Sequence, residues 1–207
     1  MPLSDLQIEQ ARACGDIVIE PFDPRNLGSD TYDVRLGEWY YEESPVRQGS
    51  TFNPFSSEAV KRVWGKPKRA EPWETTEEAI LLFPGATILA HTQEFIGGVH
   101  NITTKMFARS SIGRCMVGVC KCAGRGDVGY FNRWTMEITS FAKHHIITLK
   151  VGMRIAQIEF LTVGETRQVY GVDKGKYQQG TDLQTIMKNW KPEMMLPRLY
   201  NDWELKG

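Results

Sequence analysis

The 207-residue chain lacks a net charge: 25 Lys and Arg balance 25 Asp and Glu. The charge excess that draws nucleic acid or an anionic membrane is therefore missing, and any recognition of an anion has to be local. No apolar run reaches the length needed to cross a bilayer. The start, MPLSDLQIEQARACGD, lacks the basic residues and apolar middle of a secretory leader. A cytoplasmic protein with reduced thiols is expected, with no nucleic-acid or membrane partner. Cysteine is scarce at four residues: Cys14 stands apart, and Cys115, Cys120 and Cys122 follow a C-x4-C-x-C spacing that matches no standard zinc finger. His91, His100 and the His144-His145 pair show no ligand spacing. The H-x-E and P-C-x-x-C pair of zinc nucleobase deaminases is missing too, so no zinc is expected. There is no G-x-G-x-x-G, no Walker loop and no G-x-S-x-G, which sets aside the usual nucleotide folds and an elbow-type hydrolase.

What remains is an ordinary globular composition, 41% hydrophobic and 24% charged, long enough for one domain over residues 1–207. Ser4 with Gln7 forms a capping-box pattern, and Leu3 with Ile8 a hydrophobic staple, which predicts a helix over residues 5–14 that stops at Gly15. Short strands are expected at residues 17–19, 32–36, 80–83, 87–91, 117–120, 134–139, 146–149 and 155–163. Such strands without a βαβ rhythm indicate a sandwich or barrel. Residues 44–78, with four prolines and the basic patch Lys66-Pro67-Lys68-Arg69, read as an irregular surface insertion holding a short helix near residues 57–63. From residue 164 the chain turns polar and loop-like, with one helix near residues 182–189.

Candidate chemistry concentrates in residues 108–140, ARSSIGR followed by AGRGDVGYFNRWTMEITS. Arg109 and Arg114 offer forked donors to phosphate oxygens, and Ser110 and Ser111 add hydroxyls. Taken alone, such a cluster is also an ordinary solvated surface. Glu137 lies in a strand pattern that puts Thr135, Glu137 and Thr139 on one face and Met136 and Ile138 on the other. Facing a polar pocket, that carboxylate can act as a base and then an acid; facing water, it is an unremarkable surface Glu.

Four blocks in register resolve the choice. LSDLQI with GDIVIEPFDPRNLGSDTYDVRLG, then LLFPGATILAHTQEFI, then ARSSIGR with AGRGDVGYFNRWTMEIT, then ITLKVGMRIAQIEF with YGVDKGKYQQG, resemble the dCTP deaminase family of the dUTPase-like superfamily. The resemblance implies a mainly β, dUTPase-like distorted barrel or jelly roll with a few short helices, assembled as a homotrimer with sites between subunits. It implies zinc-independent deamination of dCTP to dUTP and ammonia. Dual deaminase and dUTPase action, a dUTPase-type pyrophosphatase, or acceptance of dCMP are the alternatives. Glu137 matches the family carboxylate that separates deaminases from the phosphate-hydrolysing branch.

The same resemblance carries roles to individual residues. Ser110 and Arg114 would hold the water, Glu137 and the base, with the backbone of Ala123 against the reacting amino group. Asp127 would accept from the sugar 3′-hydroxyl, and the ring of Tyr130 would pack on the deoxyribose. Arg109, Ser111, Tyr170, Lys176 and either Gln178 or Gln179 would bind the triphosphate, with Mg²⁺ attached mainly through phosphate oxygens and water. The usual I-D-P-G turn reads Gly126-Asp127-Val128-Gly129 here, so this turn is where the chain is expected to differ from its relatives.

Overall fold

The computed structural model describes residues 1–45, 49–74, 76–121, 123–172 and 175–205. In chain order its elements are α1 (Asp5–Cys14), β1 (Ile17–Glu20), β2 (Thr31–Glu42), α2 (Ser57–Trp64), β3 (Lys68–Arg69), β4 (Glu71–Pro72), β5 (Glu78–Leu82) and β6 (Thr87–Gly98). Then come β7 (Ile102–Ala108), α3 (Ser110–Arg114), β8 (Val117–Gly118), β9 (Arg125–Gly126), β10 (Phe131–Ser140), β11 (Ile147–Lys150), β12 (Arg154–Thr162) and α4 (Leu183–Asn189). The capping box forms as the sequence predicts: Ser4 Oγ accepts from the Gln7 amide, and Gln7 Oε1 accepts from the Ser4 amide at 2.9 Å. Such a cap contributes about 1 kcal/mol.

Two sheets enclose the core. The larger runs β8-β10-β6-β2-β12-β7-β9, with β1 also paired to β6 and β3 to β2; the smaller runs β11-β5-β4. Leu82 and Leu149 of the small sheet pack in one cluster with Val34, Ile88, Ile138 and Phe160 of the large one. Along β10 the alternation is the expected one, with Trp134, Met136 and Ile138 buried and Thr135, Glu137 and Thr139 half-buried. A buried carboxylate ties the middle of the sheet: Glu94 accepts from Arg35 Nε at 2.6 Å and from the Arg35 amide at 2.9 Å. His91 is buried with Nδ1 2.8 Å from the Thr92 carbonyl and Nε2 accepting from the Trp39 amide, so it is neutral. Desolvation pushes its pKa down to about 4, and no ion pair with nearby Glu38 results.

Several expectations need correction. The strand expected at residues 87–91 extends to Gly98, because β6 lies between strands and is buried on both faces, which erases the alternation. β7 was not anticipated, and Ser110–Arg114 form the short helix α3. The strand at 117–120 shrinks to two residues. The insertion is less irregular than expected. α2 buries Ala59 and Val60, β3 pairs Trp39 and Tyr40 of β2, and β4 joins β5.

The tail is not merely polar either. Asp182 caps α4 through the Thr185 amide at 2.8 Å, and the following turn buries Met195 and Leu196. These two residues pack with Tyr41, Val60 and Leu89, flanked by Trp64 and Trp190. Insertion and tail therefore meet over one face of β6. Among the described residues no helix is long and apolar enough to cross a membrane.

Candidate active site

That meeting point closes a cavity of about 610 Å³ over the half-buried face of β10. Glu137 lines it, paired across the ladder with Leu89 of β6, which lines it as well. Glu137 Oε2 is buried and has no hydrogen-bond partner among the described residues. Desolvation raises its pKa, opposed by its own backbone amide and by Lys121. A carboxyl held in this way exchanges a proton more readily near neutral pH than an exposed one.

The raised pKa has a sign that stability can read. Burial favours the neutral carboxyl in the folded chain, so the penalty is absent below the ordinary value of 4.5 and grows as pH rises through the raised one. Glu137→Gln is therefore expected to melt above the wild type at pH 7, with the gain shrinking toward pH 4. Thermal melts across that range check this; no gain at pH 7 would mean the carboxylate is well solvated.

The turn after β9 supplies the second wall. The Tyr130 amide donates to the Asp127 carbonyl at 3.0 Å, and both residues line the cavity. Gly129 sits at φ 92°, where a Cβ would lie 2.8 Å from the Tyr170 carbonyl oxygen, so only glycine fits. A Cβ on Gly126 would lie 2.5 Å from the Trp134 ring, which lets that ring back the turn. Val128 is buried, so the altered turn is formed and packed. The Tyr130 ring stands edge-on to Trp134 at 5.6 Å and to Tyr170 at 5.3 Å, and burial raises its hydroxyl pKa.

The tail completes the lining. The Tyr170 amide donates to the Val128 carbonyl at 2.9 Å, and the Tyr170 hydroxyl accepts from the Tyr177 amide at 3.0 Å. Lys176 reaches the same cavity, with its ammonium paired to the Asp202 carboxylate. Arg198 donates to the Lys176 carbonyl at 2.9 Å.

Six of the sequence-derived residues thus share one cavity: Ala123, Asp127, Tyr130, Glu137, Tyr170 and Lys176. The others lie elsewhere in this chain. Arg109 is held by Asp33 at 3.1 Å and by the Arg154 carbonyl at 3.2 Å, while Ser110, Ser111 and Arg114 are exposed on α3. Gln178 is buried with both ends of its amide in use: Oε1 accepts from the Phe131 amide, and Nε2 donates to the Gly129 carbonyl. Gln179 is exposed and lines a neighbouring cleft of about 160 Å³.

Two further arginines flank the turn, and Arg125 lines the cavity. Arg133 is instead sandwiched over the Phe95 and Trp190 rings, at 5.2 and 4.6 Å. Sequence reasoning missed Trp64 of the insertion and Met195 and Pro197 of the tail, all three lining the cavity. No linear motif marks them; Trp64 and Met195 reach the site through the apolar cluster on Leu89. Cys122 lies outside the described residues, and among those described no group of three or more His, Cys, Asp or Glu is placed to hold a metal.

A mainly antiparallel β-fold carries a cavity of about 610 Å³ against the Asp127–Tyr130 turn, the mainly β class expected from the sequence. The family model described as dCTP deaminase-like matches residues 2–163, and the chain belongs to that family. A protein of Cytophaga hutchinsonii named dCTP deaminase, dUMP-forming, is 34% identical over 204 residues, covering 99% of both chains. One of the same name from Leptospira biflexa serovar Patoc is 32% identical over 197 residues, 94% of each chain. The crystal structure of 2′-deoxycytidine 5′-triphosphate deaminase from Agrobacterium tumefaciens superposes with a TM-score of 0.58 at 19% identity. It covers 78% of this chain, which spans about half (48%) of that longer chain, and it supports the fold.

Proposed function

We propose that the chain deaminates dCTP and carries the nucleotide on to dUMP, releasing ammonia and pyrophosphate. One observation carries this reading: Glu137 and the Asp127–Tyr130 turn line the same cavity. The first group suits attack on a pyrimidine. The second resembles the turn with which the phosphate-hydrolysing branch of the superfamily orients a water at the α-phosphate. The product expected from the sequence, dUTP, gives way to dUMP because the Cytophaga and Leptospira relatives are both named dUMP-forming.

In the first step Glu137 takes a proton from water as the oxygen adds to C4 of cytosine. It passes that proton to N3, takes the second proton from the new C4 hydroxyl and gives it to the amine; C4=O forms, the C4–N bond breaks and ammonia leaves. A second water adds at the α-phosphorus, the bond to the bridging oxygen of the β-phosphate breaks, and pyrophosphate leaves. The net change is dCTP plus two waters to dUMP, ammonia and pyrophosphate. Asp127 accepts from the 3′-hydroxyl and the Tyr130 ring packs on the sugar, where a 2′-hydroxyl finds no room. Tyr170, Lys176 and Gln179 bind phosphates; Gln178 acts as the latch that fixes the tail to β10.

Ser110, Ser111, Arg109 and Arg114 reach this cavity from a neighbouring copy in a homotrimer. Ser110, Ser111 and Arg114 are exposed on α3 and do not line the cavity that holds the chain's own Glu137, which supports that assignment; Arg109, just before α3, is half-buried against Asp33. Magnesium fits as a passenger of the triphosphate. Asp127 and Glu137 are the two carboxylates among the described lining residues, too few for a protein cage, so phosphate oxygens and water hold the ion. Bound there, it would neutralise phosphate charge.

Two measurements test the reading. Incubating the protein with dCTP, dCDP, dCMP and dUTP and resolving all products should show dCTP consumed fastest. An unlabelled dUTP pool should leave labelled dCTP converting to labelled dUMP. Conversion of dUTP without deamination of any cytosine nucleotide would overturn the proposal. The ion pair of Lys176 with Asp202 gives a second check. Freed of its carboxylate partner, Lys176 meets the triphosphate without competition, so Asp202→Asn is expected to lower KM for dCTP about threefold, the scale of a partly exposed ion pair. An unchanged or raised KM would show that Asp202 does not compete.

A further inference from the structure

The cavity holds a second orphan besides Glu137. Trp64 Nε1 is buried and has no hydrogen-bond acceptor among the described residues, and Trp64 lines the same cavity as Glu137, whose Oε2 is unpaired in the same way. An N–H donor and a carboxylate oxygen, both withdrawn from water and both unpaired, cost free energy in the empty chain that a ligand can recover.

Their position along the cavity is defined. Trp64 packs in the cluster that contains Leu89, and Leu89 is the cross-strand partner of Glu137. Arg125, Asp127, Tyr170 and Lys176 line this cavity too, and they also line an adjoining one of about 510 Å³. The cavity therefore has a carboxylate-and-indole end and a charged end that continues outward. A nucleotide placed with its reacting carbon at Glu137 puts its base beside Trp64 and its phosphates toward Lys176.

We infer that Trp64, from the segment the sequence presents as a surface insertion, is a substrate-contacting residue whose indole N–H donates to the O2 carbonyl of the pyrimidine. This deepens the deaminase reading and rests on it. The choice of O2 follows from the donor inventory of the base. The amino group on C4 is itself a donor, and N3 gains a proton during the reaction, whereas O2 is an acceptor in substrate, intermediate and product alike. The insertion is held where this requires: the Ser44 amide donates to the Val63 carbonyl at 2.6 Å, and the Gly65 amide ends α2 on the Lys61 carbonyl at 2.9 Å. α2 thus presents its last residue to the base.

The decisive comparison is Trp64→Phe, which keeps an aromatic ring and deletes the donor. In the empty protein an unpaired buried donor disappears, so the variant is expected to melt no lower than wild type. Its dissociation constant for dCTP should rise about tenfold, the worth of one buried hydrogen bond, while that for inorganic tripolyphosphate stays unchanged. Calorimetric titration with both ligands reads this, each protein carrying Glu137→Gln so that dCTP is not consumed. A variant that is unfolded, that melts lower, or that loses affinity for dCTP and tripolyphosphate alike makes Trp64 structural and overturns the inference. Equal dCTP affinity overturns it as well. Wild-type protein that binds tripolyphosphate but not dCTP removes the deaminase reading itself, and this inference with it.

Discussion

Glu137→Gln is expected to lose ammonia release from dCTP by at least about 100-fold, the low end of what a positioned general base contributes. The argument is chemical. Water is a poor nucleophile toward an aromatic C4, and cytosine's amino group is a poor leaving group until it is protonated. One group has to handle both protons, and Glu137 lines the cavity with one oxygen unpaired and its pKa raised by desolvation. Gln preserves the shape and removes the basicity, so dCTP binding is expected to stay within about threefold of wild type, because the amide still hydrogen-bonds. Ammonia assays and equilibrium titration read the two quantities separately. Residual turnover above about 1% of wild type would assign the base elsewhere.

The second large effect concerns which chain supplies the arginine. Arg114 does not line the cavity of its own subunit, and Glu137 does. If each site in a trimer takes Glu137 from one copy and Arg114 from the next, Glu137→Gln and Arg114→Ala are each inactive alone and complement when mixed. Random reassembly of equal amounts leaves about a quarter of sites with both native residues, so activity should return to roughly 25% of wild type. Mixing after mild denaturation and refolding, with each parent treated in parallel, provides the measurement. Mixed protein no more active than its parents would place both residues in one subunit's site.

The sequence disclosed the site unevenly, for physical reasons. Period-2 alternation around Met136-Glu137-Ile138 survives in β10 because one of its faces is half-exposed, so the direction of Glu137 was legible. The helix from Asp5 was legible because its cap is local in sequence. β6 was half-hidden, since burial on both faces removes the alternation that marks a strand. Gln178 and Gln179 were indistinguishable as letters; hydrogen bonds to Phe131 and Gly129 separate them. Trp64 and Met195 were invisible as site residues. They lie in segments read as insertion and tail, and only packing on Leu89 brings them to Glu137. The region 108–140 carries both groups of candidate residues, yet within one chain Glu137 of β10 lines the cavity and the residues of α3 do not.

The most direct measurement is the product balance from dCTP. Purified protein, stripped of transition metals and supplied with Mg²⁺, should release equimolar ammonia, dUMP and pyrophosphate. Consumption of dCTP to dCMP and pyrophosphate with no ammonia, or no consumption at all, would contradict the account.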